Sequence, residues 1–486
     1  MKLKTLVGTL AVAGVMAPGM ALATNGMNLE GYGPIATAMG GAAMAYDNGL
    51  AAVMNNPATL GLAPQGDRLD VAVGGLHPNV ATKMNGMPDA KSSGDAYYMP
   101  AAGWARKKGN LTYGLAVMAQ GGMGTDYGSG SFLSMGDAGP TGKSVRSEVG
   151  VGRVIAPLAI DINPQLTLAA SLELVWAGMD LQMLLPGSAM APMMMPGSPL
   201  GSVGGSMISD RFMPALGAGQ MAGFNWGYFD FSNNNDFSGK AHSTGWAGTL
   251  GATYKISPQL TIGGSYHGKT ALGDMEGSAN VGFEALVNSA YLRTGKVGGT
   301  ATTAVPISIS GKISVRDFQW PETYGFGLAF QANDKLMIAA DYKRIGWAGV
   351  MKDFKMTFNA DASQSDPMAQ AFMLGGTQMN ATFIQDWKDQ DVLQIGASYK
   401  ATEALTLRAG LNLANNPVPD STMNALFPAI EKNHYTLGAG YAFSKAADVN
   451  FSYSYAPNVT STNSNMGYST EHSQAHNWQL MYSQRF

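Results

Sequence analysis

The chain contains no cysteine. That excludes a disulfide framework and any thiol chemistry. Charge is also scarce: Asp, Glu, Lys and Arg make up 13% of residues, where soluble domains carry about 25%. The net charge of −3 leaves no basic surface for nucleic acid, so no nucleic-acid partner is expected. Beyond the N-terminus no stretch of eighteen apolar residues occurs, which excludes transmembrane helices. The histidines His77, His242, His267, His434, His472 and His476 are scattered, and no G-x-S-x-G elbow is present. A hydrolase needs a nucleophile beside its base, so no enzyme is expected. Yet 45% of residues are hydrophobic. Apolar residues placed one in two reconcile the two facts, because strands that face lipid on one side follow that period.

The first residues have the parts of a secretory signal. Lys2 and Lys4 precede the apolar run 6–16, and Ala21-Leu22-Ala23 is a small-x-small cleavage site. Residues 1–23 are therefore expected to be removed, with a mature start near Thr24. Gly8, Gly14, Pro18 and Gly19 interrupt the run and weigh against an N-terminal membrane anchor.

The last twelve residues show the period most plainly. Trp478, Leu480, Tyr482 and Phe486 fall on one face; Asn477, Gln479, Ser483 and Arg485 fall on the other. A strand that ends on an aromatic is the habit of outer-membrane barrels. Seven further stretches alternate as clearly, near 166–176, 246–256, 324–331, 336–343, 405–413, 434–443 and 449–455. Short turns join many of them, such as Asn163-Pro164-Gln165 and Ser257-Pro258-Gln259. Longer connections lie between. Short turns at one end and long loops at the other predict a periplasmic and an extracellular side. Counting upward from Leu69 to Phe486 predicts a barrel of fourteen strands at 69–486. Pro321 falls within a long eighth strand, roughly 307–331, and predicts a kink or bulge there.

Fourteen strands enclose more space than side chains fill. The stretch 24–68 is rich in Ala, Gly and Met. A folded, partly helical hatch that plugs the lumen suits it better than a periplasmic extension, which would expose those apolar residues to water.

The loop near 180–240 is apolar enough to need a reason. It holds Met183, Leu184, Met193, Met194, Phe212, Phe224 and Trp226, and the loop near 361–390 adds Phe372 and Phe383. Exposed apolar patches mark binding, and Met adapts to cargo of varied shape. These residues are the candidate capture groove; the bland alternative is that they only pack together over the barrel. Thioethers also select Cu(I), but no His joins the Met cluster, so neither a metal nor a cofactor is expected. Arg408, Arg153 and Lys343 are candidates to meet a cargo carboxylate in the lumen. Their alternative is pairing with the hatch or with one another.

Several short motifs, in order, resemble the FadL/TodX outer-membrane transport family over essentially the whole mature chain. Asn56-Pro57-Ala58 is similar to its hatch motif. Ala119-Gln120-Gly121-Gly122-Met123 follows the third strand, and Ser147-Glu148-Val149-Gly150 opens the fourth. Asn415-Asn416-Pro417 and Phe427-Pro428-Ala429-Ile430 flank a late loop. The resemblance implies a plugged barrel that carries hydrophobic molecules passively. It implies extracellular capture, rearrangement of the hatch and lateral release where the third strand kinks; Gly121 and Gly122 are the candidates for that kink, with an ordinary loop start as the alternative. Long-chain fatty acids are the first cargo expected, and aromatic or aliphatic hydrocarbons the alternative; a general diffusion porin is the rival. A monomer is expected, with outer-membrane lipid around it and the barrel assembly machinery engaging the C-terminal strand.

Overall fold

The computed structural model describes residues 25–234 and 239–486. The expected signal peptide lies outside the described residues. A closed antiparallel circuit of strands dominates. Its members are β1 (Gly66–Leu76), β2 (Tyr97–Lys108), β3 (Leu111–Gly128), β4 (Val145–Asp161) and β5 (Leu166–Pro186). Then come β6 (Met221–Phe231), β7 (Ala241–Lys255), β8 (Leu260–His267), β9 (Met275–Asn288) and β10 (Thr323–Gln331). The last are β11 (Leu336–Ile345), β12 (Gln390–Lys400), β13 (Leu405–Ala414), β14 (Asn433–Ala442), β15 (Ala447–Asn463) and β16 (Tyr468–Arg485). Closure is made by β1 on β16, from Arg68 opposite Arg485 to Gly75 opposite Trp478.

The expected count of fourteen is corrected: the closed circuit has 16 strands. β6 and β9 are the additions, and the reason is the length of β5. From Leu166 to Met179, β5 pairs directly with β7. Its outer part, Leu181 to Pro186, instead pairs with β6. β6 pairs with β9, and β9 returns to β7 where His242 lies opposite Glu276. The sequence reading placed β6 inside an extracellular loop, because its aromatic residues hide the alternation. The long eighth strand is likewise two elements, Thr302–Arg316 and β10, with Pro321 in the break between them. Trp320, just before it, is fully buried.

The short turns follow from turn chemistry. Asn163 Oδ1 accepts from the N–H groups of Gln165 and Leu166. Ser257, Asn333, Thr402 and Ser444 do the same two and three residues on. A short polar side chain thereby satisfies the donors that a reversal leaves unpaired. The outer face is an apolar belt: Leu172, Leu250, Phe326 and Leu437 are each about 60% exposed. Their neighbours Glu173, Thr249 and Thr436 point inward and are buried. The alternation therefore has lipid on one side and the N-terminal segment on the other.

That segment, 25–65, is almost wholly buried. It bonds to strands on every side: Asn25 to Asn412, Gly40 to Thr436, Ala43 and Met44 to Asp341, Asn56 to Ala252, Leu50 to Asp70 and Thr37 to Gln479. Wall glycines make room. A methyl group on Gly263 would overlap the Met44 carbonyl, and one on Gly410 would overlap the Gly40 amide. In each case the obstacle is backbone, which cannot step aside as a side chain can. Gly263→Val and Gly410→Val should each destabilise the seated segment, by about 1–3 kcal/mol. The check is the temperature at which the folded band is lost in heat-modifiable gel mobility. An unchanged temperature would refute this packing.

Candidate functional site

At the loop end the sheet continues above the belt. β9 pairs with Thr302–Arg316, which pairs with Asp353–Ala360, then Gln378–Ile384, then Gly201–Gly204. The loops predicted near 180–240 and 361–390 thus carry ordered strands. Phe212 anchors them, its ring edge-on to Phe224 at 5.0 Å, Phe283 at 5.1 Å and Phe372 at 6.5 Å. Such aromatic contacts stabilise beyond the area they bury. Trp226 stacks under the Lys143 ammonium, 5.6 Å from its ring centre.

Two adjoining cavities open among these elements. The inner one, about 90 Å³, is lined by Met183, Leu184, Met193, Phe383, Met423 and Leu426 among others. The outer one, about 470 Å³, is lined by Met84, Phe132, Met135, Pro186 and Pro192. Leu133, Leu184, Pro199, Leu200, Met466 and Tyr468 belong to both. Among the described residues, no charged side chain lines either. Of the predicted groove, Met183, Leu184, Met193 and Phe383 are brought together. Phe212, Phe224, Trp226 and Phe372 line neither cavity and hold the loops instead, and Met194 packs on the core beside them. Met423, Leu426 and Met466 were missed. Met423 and Leu426 sit in the connection 415–432 and Met466 in the turn before Tyr468, where the apolar residues form no pattern of their own.

Deeper, a ring of bonds ties the N-terminal segment to the wall. Arg153 Nε donates to Gln120 Oε1 at 2.5 Å, and its Nη1 pairs with Glu173. Thr249 Oγ1 donates to Glu173 Oε1 at 2.5 Å and contacts His267 Nδ1 at 2.9 Å. His267 Nε2 lies 2.9 Å from the Asn55 carbonyl and must donate, since a carbonyl only accepts. Asn55 Nδ2 donates to the Tyr32 carbonyl at 3.0 Å. Tyr32 Oη donates to the Gln120 carbonyl at 2.8 Å, which closes the ring. Burial pushes the Tyr32 phenol well above its ordinary pKa, so it stays a donor. Nearby, Asn56 caps the turn at Pro57 by accepting from the Ala58 N–H at 3.1 Å.

The three candidate carboxylate partners have different settings. Arg153 is paired with Glu173 and buried. Arg408 donates to Asn450 at 3.0 Å near the turn end. Lys343 lines a third cavity of about 30 Å³ with Asn28, Gln120 and His267.

β3 behaves differently above Val117. It pairs with β2 only from Leu111 to Val117, whereas β2 stays on β1 as far as Tyr97. β3 continues on β4, with a register shift between Ala119 and Gly121. The Gly122 N–H, released from the wall, donates to the Met27 carbonyl at 3.1 Å. Pro100 on β2 has no N–H to offer. A cavity of about 50 Å³ lies against this gap, lined by Pro100, Ala101, Met118, Ala119, Leu29 and Tyr32.

A closed sheet with an outward apolar belt, polar residues inside and strand-built loops defines an outer-membrane β-barrel. The family model of the outer membrane protein transport proteins (OMPP1/FadL/TodX) matches residues 10–483, and the chain belongs to that family. It is accordingly an outer-membrane protein. The toluene transporter TodX of Pseudomonas putida is 29% identical over 94% of this chain and 99% of its own, with a TM-score of 0.77. The toluene transporter TbuX of Ralstonia pickettii is 28% identical, again over 94% and 99%, with a TM-score of 0.72. A FadL homologue of Pseudomonas aeruginosa, 15% identical over 96% and 100%, shares the fold at a TM-score of 0.62. A curated relative from Chlorobium limicola, an uncharacterized protein in a phosphoenolpyruvate carboxykinase gene 5′ region, is 40% identical over 119 residues. That match takes in 24% of this chain and spans 58% of the relative's length.

The bonded ring makes a sharp prediction. Glu173→Gln leaves Arg153 buried beside a neutral group and should cost about 3–5 kcal/mol. Replacing both by methionine should restore most of that loss. Chemical denaturation of the refolded barrel checks both; a single substitution without effect would refute the pairing.

Proposed function

We propose that the protein is a passive outer-membrane channel for neutral hydrophobic compounds, aromatic or aliphatic hydrocarbons foremost. The observation that carries this reading is that no charged side chain among the described residues lines the two adjoining cavities at the loop end. A hydrocarbon gains roughly 0.8 kcal/mol for each CH₂ moved from water to such a site. A carboxylate placed there without a partner would cost several kcal/mol. That TodX and TbuX are toluene transporters supports the same cargo class.

Cargo enters the outer cavity, passes to the inner one through the wall they share and then meets the N-terminal segment, residues 24–68. We read this segment as the hatch: it is bonded to strands around the ring, and a shift in it would open the way inward. Release follows at the gap between β2 and β3, where Gly121 and Gly122 leave the β2 ladder and the Met27 carbonyl holds the freed amide. A lateral exit spares the cargo a passage through periplasmic water. The channel works as a monomer, because one chain closes the circuit. Lipid surrounds the belt, and the assembly machinery engages the strand that ends at Phe486.

Long-chain fatty acids keep one specific support. Lys343 lines the small inner cavity, where a carboxylate could meet it after the hatch moves. Uptake of labelled toluene and labelled oleate by cells lacking their own channels separates the two. Assembly is verified by heat-modifiable mobility. Toluene uptake should exceed the empty-vector level, and Leu184→Asp, which puts a charge in the wall of both cavities, should reduce it about tenfold or more. Oleate uptake without toluene uptake would overturn the neutral cargo.

A further inference from the structure

The inner cavity is apolar but not featureless. Most of its polar groups are occupied. Asn463 Nδ2 donates to the Met423 carbonyl at 2.8 Å, and its Oδ1 accepts from the N–H groups of Asn465 and Met466. Thr422 Oγ1 donates to the Gln385 carbonyl at 2.6 Å. Asn424 Oδ1 accepts from the Leu426 N–H, and this half-buried side chain reaches solvent.

Gln385 and Tyr468 differ. Each is only 6% exposed, and each lines the cavity. The Gln385 main chain is fully engaged: its N–H donates to the Lys352 carbonyl at 2.8 Å and its carbonyl accepts from Thr422. Its carboxamide has no protein partner among the described residues. The Tyr468 oxygen accepts from the Ala425 N–H at 3.3 Å. The Ala425 carbonyl is taken by Tyr127 Oη at 2.8 Å, and the Tyr468 hydroxyl hydrogen has no acceptor among the described residues. A purely apolar ligand that displaces water from such groups leaves them unpaired, which is costly. A ligand bearing an oxygen offsets that cost.

We propose that the inner cavity selects neutral hydrophobic compounds that carry one hydrogen-bonding oxygen, such as aromatic alcohols, phenols or ketones. Gln385 and Tyr468 are the specificity-determining residues. The carboxamide can donate to or accept from the oxygen, and the phenol donates to it. A carboxylate remains disfavoured because no cation lines the cavity. This inference rests on the reading of the cavity as the cargo site.

The test is calorimetric titration of the full chain in lipid nanodiscs, with empty nanodiscs as reference. Benzyl alcohol and ethylbenzene are the probes, since they match closely in shape and differ in the hydroxyl. The ratio of their affinities is read in the natural chain, in Gln385→Leu, in Tyr468→Phe and in the double variant. The ratio should fall about tenfold in favour of ethylbenzene in the double variant, with each single variant between. Gln385→Leu should also bind ethylbenzene more tightly than the natural chain, a gain that a misfolded variant cannot show. Binding of both probes with a ratio unchanged by all three variants would overturn the oxygen preference and leave the hydrocarbon channel standing. Binding of neither probe by the natural chain would overturn both.

Discussion

Lipid offers no hydrogen bonds, so every main-chain N–H and C=O at its depth must find a partner within the protein. The rest of this molecule follows from that requirement. It forces the strands into a closed circuit, it joins β1 to β16, and where the ladder opens it calls for another group to take the freed amide. The gap between β2 and β3 is such a place. The Gly122 N–H finds the Met27 carbonyl in the N-terminal segment, so the segment completes the wall as well as filling the space behind it. Wall and segment are therefore joined there by a main-chain hydrogen bond.

The same economy explains the inner polar ring. Glu173, Arg153, Thr249 and His267 sit on adjacent strands with their side chains inward, as the alternation requires. Their charges and donors are consumed by one another, by Gln120 and by the Asn55 carbonyl of the segment. What lines the cavities at the loop end is mostly apolar, with a few polar groups such as Asn463 and Thr422 bonded locally. The cavities inherit that character from Met, Leu and Pro residues on several separate connections, which meet only because the strands beneath hold them.

Much of the barrel was legible in the sequence. The strands from Leu336 onward alternate without interruption, and a polar side chain marks each short turn. The family resemblance was legible too, since Asn56-Pro57-Ala58 and Gly121-Gly122 stand in order along the chain. The strand count was not. β6 carries aromatics on both faces, at Phe224, Trp226, Tyr228, Phe229 and Phe231, and all of them are buried. A strand buried on both faces loses its period of two. The cavity walls were half legible for a related reason: composition marked Met183, Leu184, Met193 and Phe383, which line the inner cavity, but it marked Phe212 and Phe372 equally. Only the fold separates a cavity wall from a packing anchor. Arg153 illustrates the limit for charge. Its inward position follows from the alternation, whereas its partner Glu173 lies on the neighbouring strand in a register that spacing alone does not supply.

The seam has a consequence for synthesis. The Asp67 carbonyl accepts from the Phe486 N–H, and the Phe486 carbonyl accepts from the Asp67 N–H. The first strand to emerge thus waits for the last, and a product shortened before residue 478 leaves β1 with a bare edge. Bare edges recruit other strands. The order of the ladder therefore ties closure to β16: a polypeptide that stops short of it cannot seal the circuit.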